Sequence, residues 1–99
     1  DMLRGMTIAA NGFYGPQGRQ LRLSLADPQL NQKIQAFDYE GHQITNYEME
    51  SSALAGLAAM MGHRAMTVCC IIAGRVDKNM NTDYASALDN LIDTVVERI

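Results

Sequence analysis

The spacing of apolar residues changes several times along the chain, and each change marks an element. Met6, Ile8, Ala9 and Ala10 fall in a short apolar run of strand length. Residues 11–18 follow with three glycines and one proline in eight positions, the composition of a loop. Leu21, Leu23 and Leu25 alternate with Arg22 and Ser24, which predicts a second strand or extended segment. Asp27 before Pro28 predicts a cap, with the proline in the first turn. Leu30, Ile34 and Phe37 then carry a short helix to about Phe37. Residues 40–43 read as a turn and Ile44 to Tyr47 as extended. Ser51 to Met61 predicts a helix with Leu54, Leu57, Ala58 and Met61 on one face and Gly62 as its stop. Its alanines and Gly56 suit close packing on a sheet. Ala65 to Ala73 is almost continuously apolar, the pattern of a strand covered on both faces. A polar loop, 74–79, leads to a last helix starting near Asn81 or Thr82. Its buried stripe is expected to be Leu88, Leu91, Ile92, Val95 and Ile99.

The resulting order is strand, loop, strand, helix, strand, helix, strand, helix, an α/β pattern. Ligands of such folds sit beyond the carboxyl ends of strands. Loops 11–19, 45–52 and 73–79 leave strand ends. They converge if the three strands are parallel neighbours.

Composition narrows the classes further. The 99 residues allow at most one domain, and 47% apolar with 19% charged residues argues against disorder. A net charge of −3 supplies no basic field for nucleic acid or anionic lipid. No apolar run approaches the length of a membrane span, and Asp1-Met2-Leu3-Arg4-Gly5 does not read as a signal peptide. Cys69 and Cys70 are adjacent, where a bridge would be strained, so two free packing thiols and a reducing cytoplasm are expected.

Three places carry candidate chemistry. Glu48 and Glu50 flank Met49 just before the helix at Ser51. Acids there complement a helix dipole. Two residues apart on an extended segment, they also share one side, where paired carboxylates accept from vicinal sugar hydroxyls and Met49 covers an apolar sugar face. Gln17-Gly18-Arg19 is either a surface turn or a planar recognition pair, since an amide and a guanidinium fork together match an imide edge. Phe13 nearby can stack on a base or sugar. Arg75 follows the apolar run as a structural or solvated residue, with Asp77 near in sequence, or as a donor to a bound base. His42 and His63 lack partners at ligand spacing, and no zinc motif, nucleophile elbow, phosphate loop or dinucleotide fingerprint occurs.

Together the three places resemble one family. Phe13-Tyr14-Gly15-Pro16-Gln17-Gly18-Arg19 is similar to the uracil-recognition loop of uridine phosphorylases, and Asn46-Tyr47-Glu48-Met49-Glu50-Ser51 to their ribose motif. Ile71-Ile72-Ala73-Gly74-Arg75 is similar to the strand and loop that close their base pocket. Order and spacing agree, and the resemblance runs through essentially all of the chain. Gly15-Pro16 stands where some relatives read Pro-Gly, and Gly74 where some carry a polar residue. Purine-specific relatives typically carry Asp at the position of Arg75.

The resemblance implies part of a three-layer α/β/α nucleoside phosphorylase-like domain with a mixed central sheet, residues 1–99 forming its carboxy-terminal part. It implies reversible phosphorolysis of uridine to uracil and ribose 1-phosphate, with inorganic phosphate as co-substrate and no metal or other cofactor. Gln17 and Arg19 would bind the uracil edge, and Phe13 would line sugar or base. Met49 and Glu50 would hold the ribose, with Glu48 supporting the loop. Ile72 and Ala73 would be pocket wall and Arg75 would act near the base. Arg19, Glu50 and Arg75 are the implied catalytic residues. Family members run well over twice this length and bind phosphate through their amino-terminal half, so the 99 residues alone are expected to lack phosphorolysis. The resemblance also implies a homo-oligomer, either a dimer or a hexamer built from dimers. A purine nucleoside phosphorylase or nucleosidase, or a non-catalytic nucleoside-binding module, are the competing readings.

Overall fold

Met6–Ala9 forms strand β1, and it runs parallel to β3, His42–Glu48. The register pairs Thr7 with Asn46, Ile8 with Tyr47 and Ala9 with Glu48. The hydroxyl of Thr7 adds a cross-strand hydrogen bond to the Asn46 side-chain oxygen. Ala10, just past β1, continues the ladder by donating its N–H to the Glu48 carbonyl at 2.8 Å. A short strand β2, Asp38–Tyr39, closes antiparallel onto the other edge of β3, giving the order β1-β3-β2. The sheet is therefore mixed. Residues 2–99 are described by this computed structural model, and they separate into two compact units, one ending at Met66 and one spanning Thr67–Ile99.

The β2–β3 hairpin was not foreseen beyond its turn. Glu40 and Gly41 both have positive φ, 52° and 79°, as a two-residue primed turn requires. Asp38 Oδ1 accepts from the Gly41 N–H at 3.0 Å and fixes the turn from within. The same turn shortens the preceding helix. Helix α1 spans Leu30–Gln35, not to Phe37, because the chain has to become extended by Asp38. Asp27 does organise the start of α1, though from two residues ahead of the N-cap Gln29. Its Oδ1 accepts from the Gln29 N–H at 2.9 Å, and its Oδ2 pairs with Lys33 Nζ at 2.7 Å. The Lys33 hydrogen bond, then that of Gln29, holds the Asp27 carboxyl below its usual range. Helix α1 lies against β3.

Helix α2, Ser51–Met60, forms where the sequence predicts it, from a run rich in alanine and leucine. Its end is a Schellman closure. His63 N–H donates to the Ala58 carbonyl at 2.8 Å and Gly62 N–H to the Ala59 carbonyl at 3.2 Å. Gly62 adopts φ +75°, which a Cβ would strain. The expected apolar face of α2 is largely uncovered among the described residues: Leu54, Leu57 and Met61 are exposed, and Ala58 is half-buried.

Two expected strands do not form. Leu21 and Leu23 are exposed on an irregular segment, since alternation marks one apolar face but supplies no ladder partner. The run 65–73 is irregular as well. Its one pairing is a bridge from Ala73 to Met80, within a turn closed by Gly74 N–H to the Asn79 carbonyl and Asn81 N–H to the Ile72 carbonyl, both 2.7 Å. A strand covered on both faces draws its backbone bonds from neighbours on both edges, whereas the pairing described for this run is to the returning residues Met80 and Asn81 alone. Cys69 and Cys70 are free and half-buried. Helix α3, Tyr84–Val96, starts two or three residues later than expected, after the Asn81 Oδ1 accepts the Asp83 N–H at 3.0 Å. Of its predicted stripe, Leu91 and Val95 are half-buried while Leu88, Ile92 and Ile99 are exposed.

Ala10, Gln17 and Gly18 are the buried residues among those described. Among the described residues no helix is long and apolar enough to cross a membrane.

The two glycines of the α2 region should respond oppositely to alanine. Gly62→Ala places a Cβ at φ +75° and is expected to cost roughly 1 kcal/mol. Gly56→Ala, inside the helix with nothing within 4 Å of an added Cβ, is expected to stabilise by a similar amount. Urea midpoints that moved in the same direction for both would contradict this account of α2.

Candidate functional site

Parallel pairing puts the carboxyl ends of β1 and β3 side by side, so the loop after Ala10 and the segment after Glu48 leave the same edge of the sheet. Two of the three predicted polar loops are thus neighbours. Residues Ile72, Ala73 and Arg75 belong to the second unit, where Arg75 is exposed in a bend. There the Asp77 carboxylate accepts from the Asn79 N–H at 3.4 Å and side-chain amide at 3.0 Å.

The first loop is built around Arg19. A single 3-10 turn, Gly15–Gln17, folds the chain back so that Gln17 N–H (3.1 Å) and Arg19 N–H (2.9 Å) both donate to the Tyr14 carbonyl. The Arg19 Nη1 then donates to the Phe13 carbonyl and to Gln17 Oε1, each at 2.6 Å. The guanidinium carbon lies 3.8 Å from the centre of the Phe13 ring, a cation–π contact. Tyr14 meets the same ring edge-on, with centroids 5.2 Å apart and planes at 86°. Phe13, Gln17 and Arg19, singled out separately in the sequence, therefore form one contact group. Gln17 is only 4% exposed. Its bond to Arg19 fixes which way the amide faces, and in this structure the amide oxygen and the guanidinium are engaged with each other inside the loop.

Gly18 makes this possible. It adopts φ +69°, and a Cβ there would stand 2.1 Å from Asn31 Oδ1. The Asn31 side chain, from α1, donates through Nδ2 to the Gly18 carbonyl at 2.9 Å. Sequence reasoning missed Asn31. Its partner is a backbone carbonyl thirteen residues away, and no spacing rule signals such a bond. Beside the loop an open recess of about 340 Å³ is lined by Tyr14, Gly15, Arg19 and residues 21–25. Phe13 and Gln17 do not line it.

The acidic segment differs from the extended pair that the sequence suggests. β3 ends at Glu48, and Met49 and Glu50 lie in a bend, so the two carboxylates do not share one side of a strand. Glu48 turns onto the start of α2. Its carboxylate accepts from the N–H of Glu50 at 2.9 Å, the N–H of Ser51 at 2.6 Å and the Ser51 hydroxyl. These are amides that a helix start leaves unpaired. The Ser51 hydroxyl bond, set against partial burial and helped by the two amides, holds the Glu48 carboxyl below its ordinary range. Ser51 is a second residue that sequence reasoning passed over. Glu50 is exposed, with its Oε2 accepting from the Met49 N–H at 3.1 Å. Met49 is exposed beside it. No group of three or more His, Cys, Asp or Glu able to hold a metal occurs among the described residues.

The lowered Glu48 pKa has a definite sign. The group binds a proton less readily folded than unfolded, so its contribution is complete above the ordinary glutamate pKa of about 4.3 and is lost as pH falls through the lower folded value. The stability difference between the parent and Glu48→Gln should therefore be constant at neutral pH and shrink on acidification below about 4.3. Urea titrations between neutral and acid pH check this, and a difference that grew towards acid pH would refute it.

Comparison with known proteins gives the family. A family model described as the Phosphorylase superfamily matches residues 1–97. Uridine phosphorylase A of Schistosoma mansoni is 39% identical over 80 residues, covering 79% of this chain and 26% of that protein. A uridine phosphorylase of Thermococcus kodakarensis is 36% identical over 78 residues, 73% of this chain and 25% of its own length. A protein named inactive uridine phosphorylase B, also of Schistosoma mansoni, is 37% identical over 75 residues, 74% of this chain and 25% of that protein. No solved structure matches. The chain thus spans about a quarter of the length of the curated relatives it matches. With the family match over nearly its whole length, and with a mixed sheet and helices, the chain belongs to the phosphorylase superfamily.

Proposed function

We propose that the protein carrying this chain is a uridine phosphorylase, and that the chain supplies the surfaces for base and ribose. The observation that carries the reading is the Phe13–Gln17–Arg19 group, rooted where β1 runs beside Glu48. Two relatives named as uridine phosphorylases support it. The enzyme would be a pentosyltransferase of pyrimidine nucleoside salvage, cytoplasmic, assembled from dimers, using inorganic phosphate and no metal.

In phosphorolysis a phosphate oxygen bonds to C1′ of the ribose while the bond from C1′ to N1 of uracil breaks. The electron pair of that bond stays on the base, which leaves as an anion, and the sugar passes through a cation-like state. Arg19 is already held in place by the Phe13 carbonyl and Gln17, so it is a preorganised donor for charge that appears on the base as the bond breaks. Gln17 would read the imide edge, and Phe13 would line the pocket. Glu50 would accept from the ribose hydroxyls and hold C1′ for attack, with Met49 against the sugar. Glu48 would keep the start of α2 in place beneath them. For Ile72, Ala73 and Arg75, in the second unit, a role at the base rests on the family resemblance alone.

A second reading is favoured by one observation. A relative named as inactive matches this chain as well as the active ones do, at 37% against 39% and 36% identity. This chain therefore also suits a protein that binds nucleoside without turning it over. Phosphorolysis assays on the full-length protein with uridine, thymidine, inosine and adenosine separate these readings. Uridine should be preferred. Turnover of none of them, with uridine still bound, supports the non-catalytic reading, and preference for a purine nucleoside refutes the base assignment. Arg19→Ala is expected to lower kcat roughly a hundredfold or more. Glu50→Ala should lower kcat/KM by roughly ten- to a hundredfold. Full uridine activity in both variants would show these roles to be wrong.

A further inference from the structure

We propose that Asn31 is a positioning residue for base recognition, acting through the peptide between Gly18 and Arg19. The inference rests on the uridine phosphorylase reading for its substrate, but its geometry is independent of it. Gln17 and Arg19 are bonded to each other, and the residue between them sits at φ +69°. A glycine in that region is free to rotate its peptide, because no Cβ restricts it. Rotation of the Gly18–Arg19 peptide would reorient the Arg19 backbone and, with it, the guanidinium that contacts Phe13 and Gln17. Within the loop, the Gly18 N–H is bound to the Gly15 carbonyl at 2.8 Å and the Arg19 N–H to the Tyr14 carbonyl at 2.9 Å. The Gly18 carbonyl is held from outside the loop, by Asn31 Nδ2 at 2.9 Å.

Asn31 is itself well placed to act as a fixed donor. It lies on α1, whose start is tied by Asp27 to Gln29 and Lys33, and α1 rests on β3. β3 is the strand that ends at Glu48. One helix thus links the loop carrying Arg19 to the strand carrying the acidic segment. The contact is also closely fitted, since the space a Gly18 Cβ would need is filled by the Asn31 amide. The amide therefore serves twice, by donating to the carbonyl and by occupying the space beside the glycine.

Two variants of the full-length protein separate donation from filling. Asn31→Asp keeps the shape and loses the donor, and Asn31→Ala loses both. Both should raise the KM for uridine roughly two- to tenfold while the KM for phosphate stays at the parent value. A merely structural role would move both constants, or would spare Asn31→Asp. Exchange of the Arg19 amide hydrogen, followed in the same variants without substrate, should quicken by a similar factor. Parent-like uridine KM in both variants, or unchanged exchange at Arg19, overturns the role of Asn31. A parent protein that does not turn over uridine overturns the substrate reading instead, and the exchange measurement then decides Asn31 alone.

Discussion

The pairing of Ala9 with Glu48 is the constraint from which the arrangement in the first unit follows. Parallel strands send their carboxyl ends to one edge, and here that edge receives both an aromatic, arginine-bearing loop and an acidic bend. The ladder does not stop at the strand end: Ala10 N–H reaches the Glu48 carbonyl, so the root of the loop is bonded to the residue whose side chain starts α2. Antiparallel pairing of the same two strands would have sent the two segments to opposite edges. β2 and α1 serve this pair, the one by closing the far edge of β3 and the other by lying on it.

How much of this was legible in the sequence depends on whether an element's partners are local. α2 was readable because an alanine-rich run, acids before it and a glycine after it all act within a few residues. The turn at Glu40 and Gly41 was readable for the same reason, but β2 was not, since two residues carry no period. Strands at 21–25 and 65–73 were expected from hydrophobicity alone, and neither forms. Hydrophobic pattern says that a segment suits burial, whereas a strand also needs another backbone alongside. In a chain that matches only about a quarter of its relatives' length, much of the apolar surface, including Leu57 on α2 and Ile92 on α3, has no cover among the described residues. The periodicity was a sound reading of what those faces suit, but not of what this chain itself provides.

The site shows the same division. Phe13, Gln17 and Arg19 were recognisable as chemistry, yet how they are held was not. Their geometry is carried by backbone carbonyls of Phe13, Tyr14 and Gly18, which leave no mark in side-chain sequence. Motif resemblance named the candidates, and only coordinates could add Asn31 as the group that holds the Gly18 carbonyl and Ser51 as a partner of Glu48.

The acidic pair is where the structure changes the chemistry most. Read as an extended segment, Glu48 and Glu50 were equivalent candidates for a sugar diol. Folded, they are not. Glu48 accepts from two amides and a hydroxyl at the start of α2, and an ionised carboxylate has about four acceptor sites in all. Those amides belong to a helix start that must find acceptors somewhere, so recruiting Glu48 for a ligand would leave them unpaired. Glu50 is exposed and engaged through one oxygen by the amide of Met49. Under the proposed function the ribose hydroxyls therefore fall to Glu50. The dipole-complementing reading and the sugar-binding reading, which competed for one pair of residues, are divided between them: Glu48 stabilises the helix start, and the bend it creates presents Glu50.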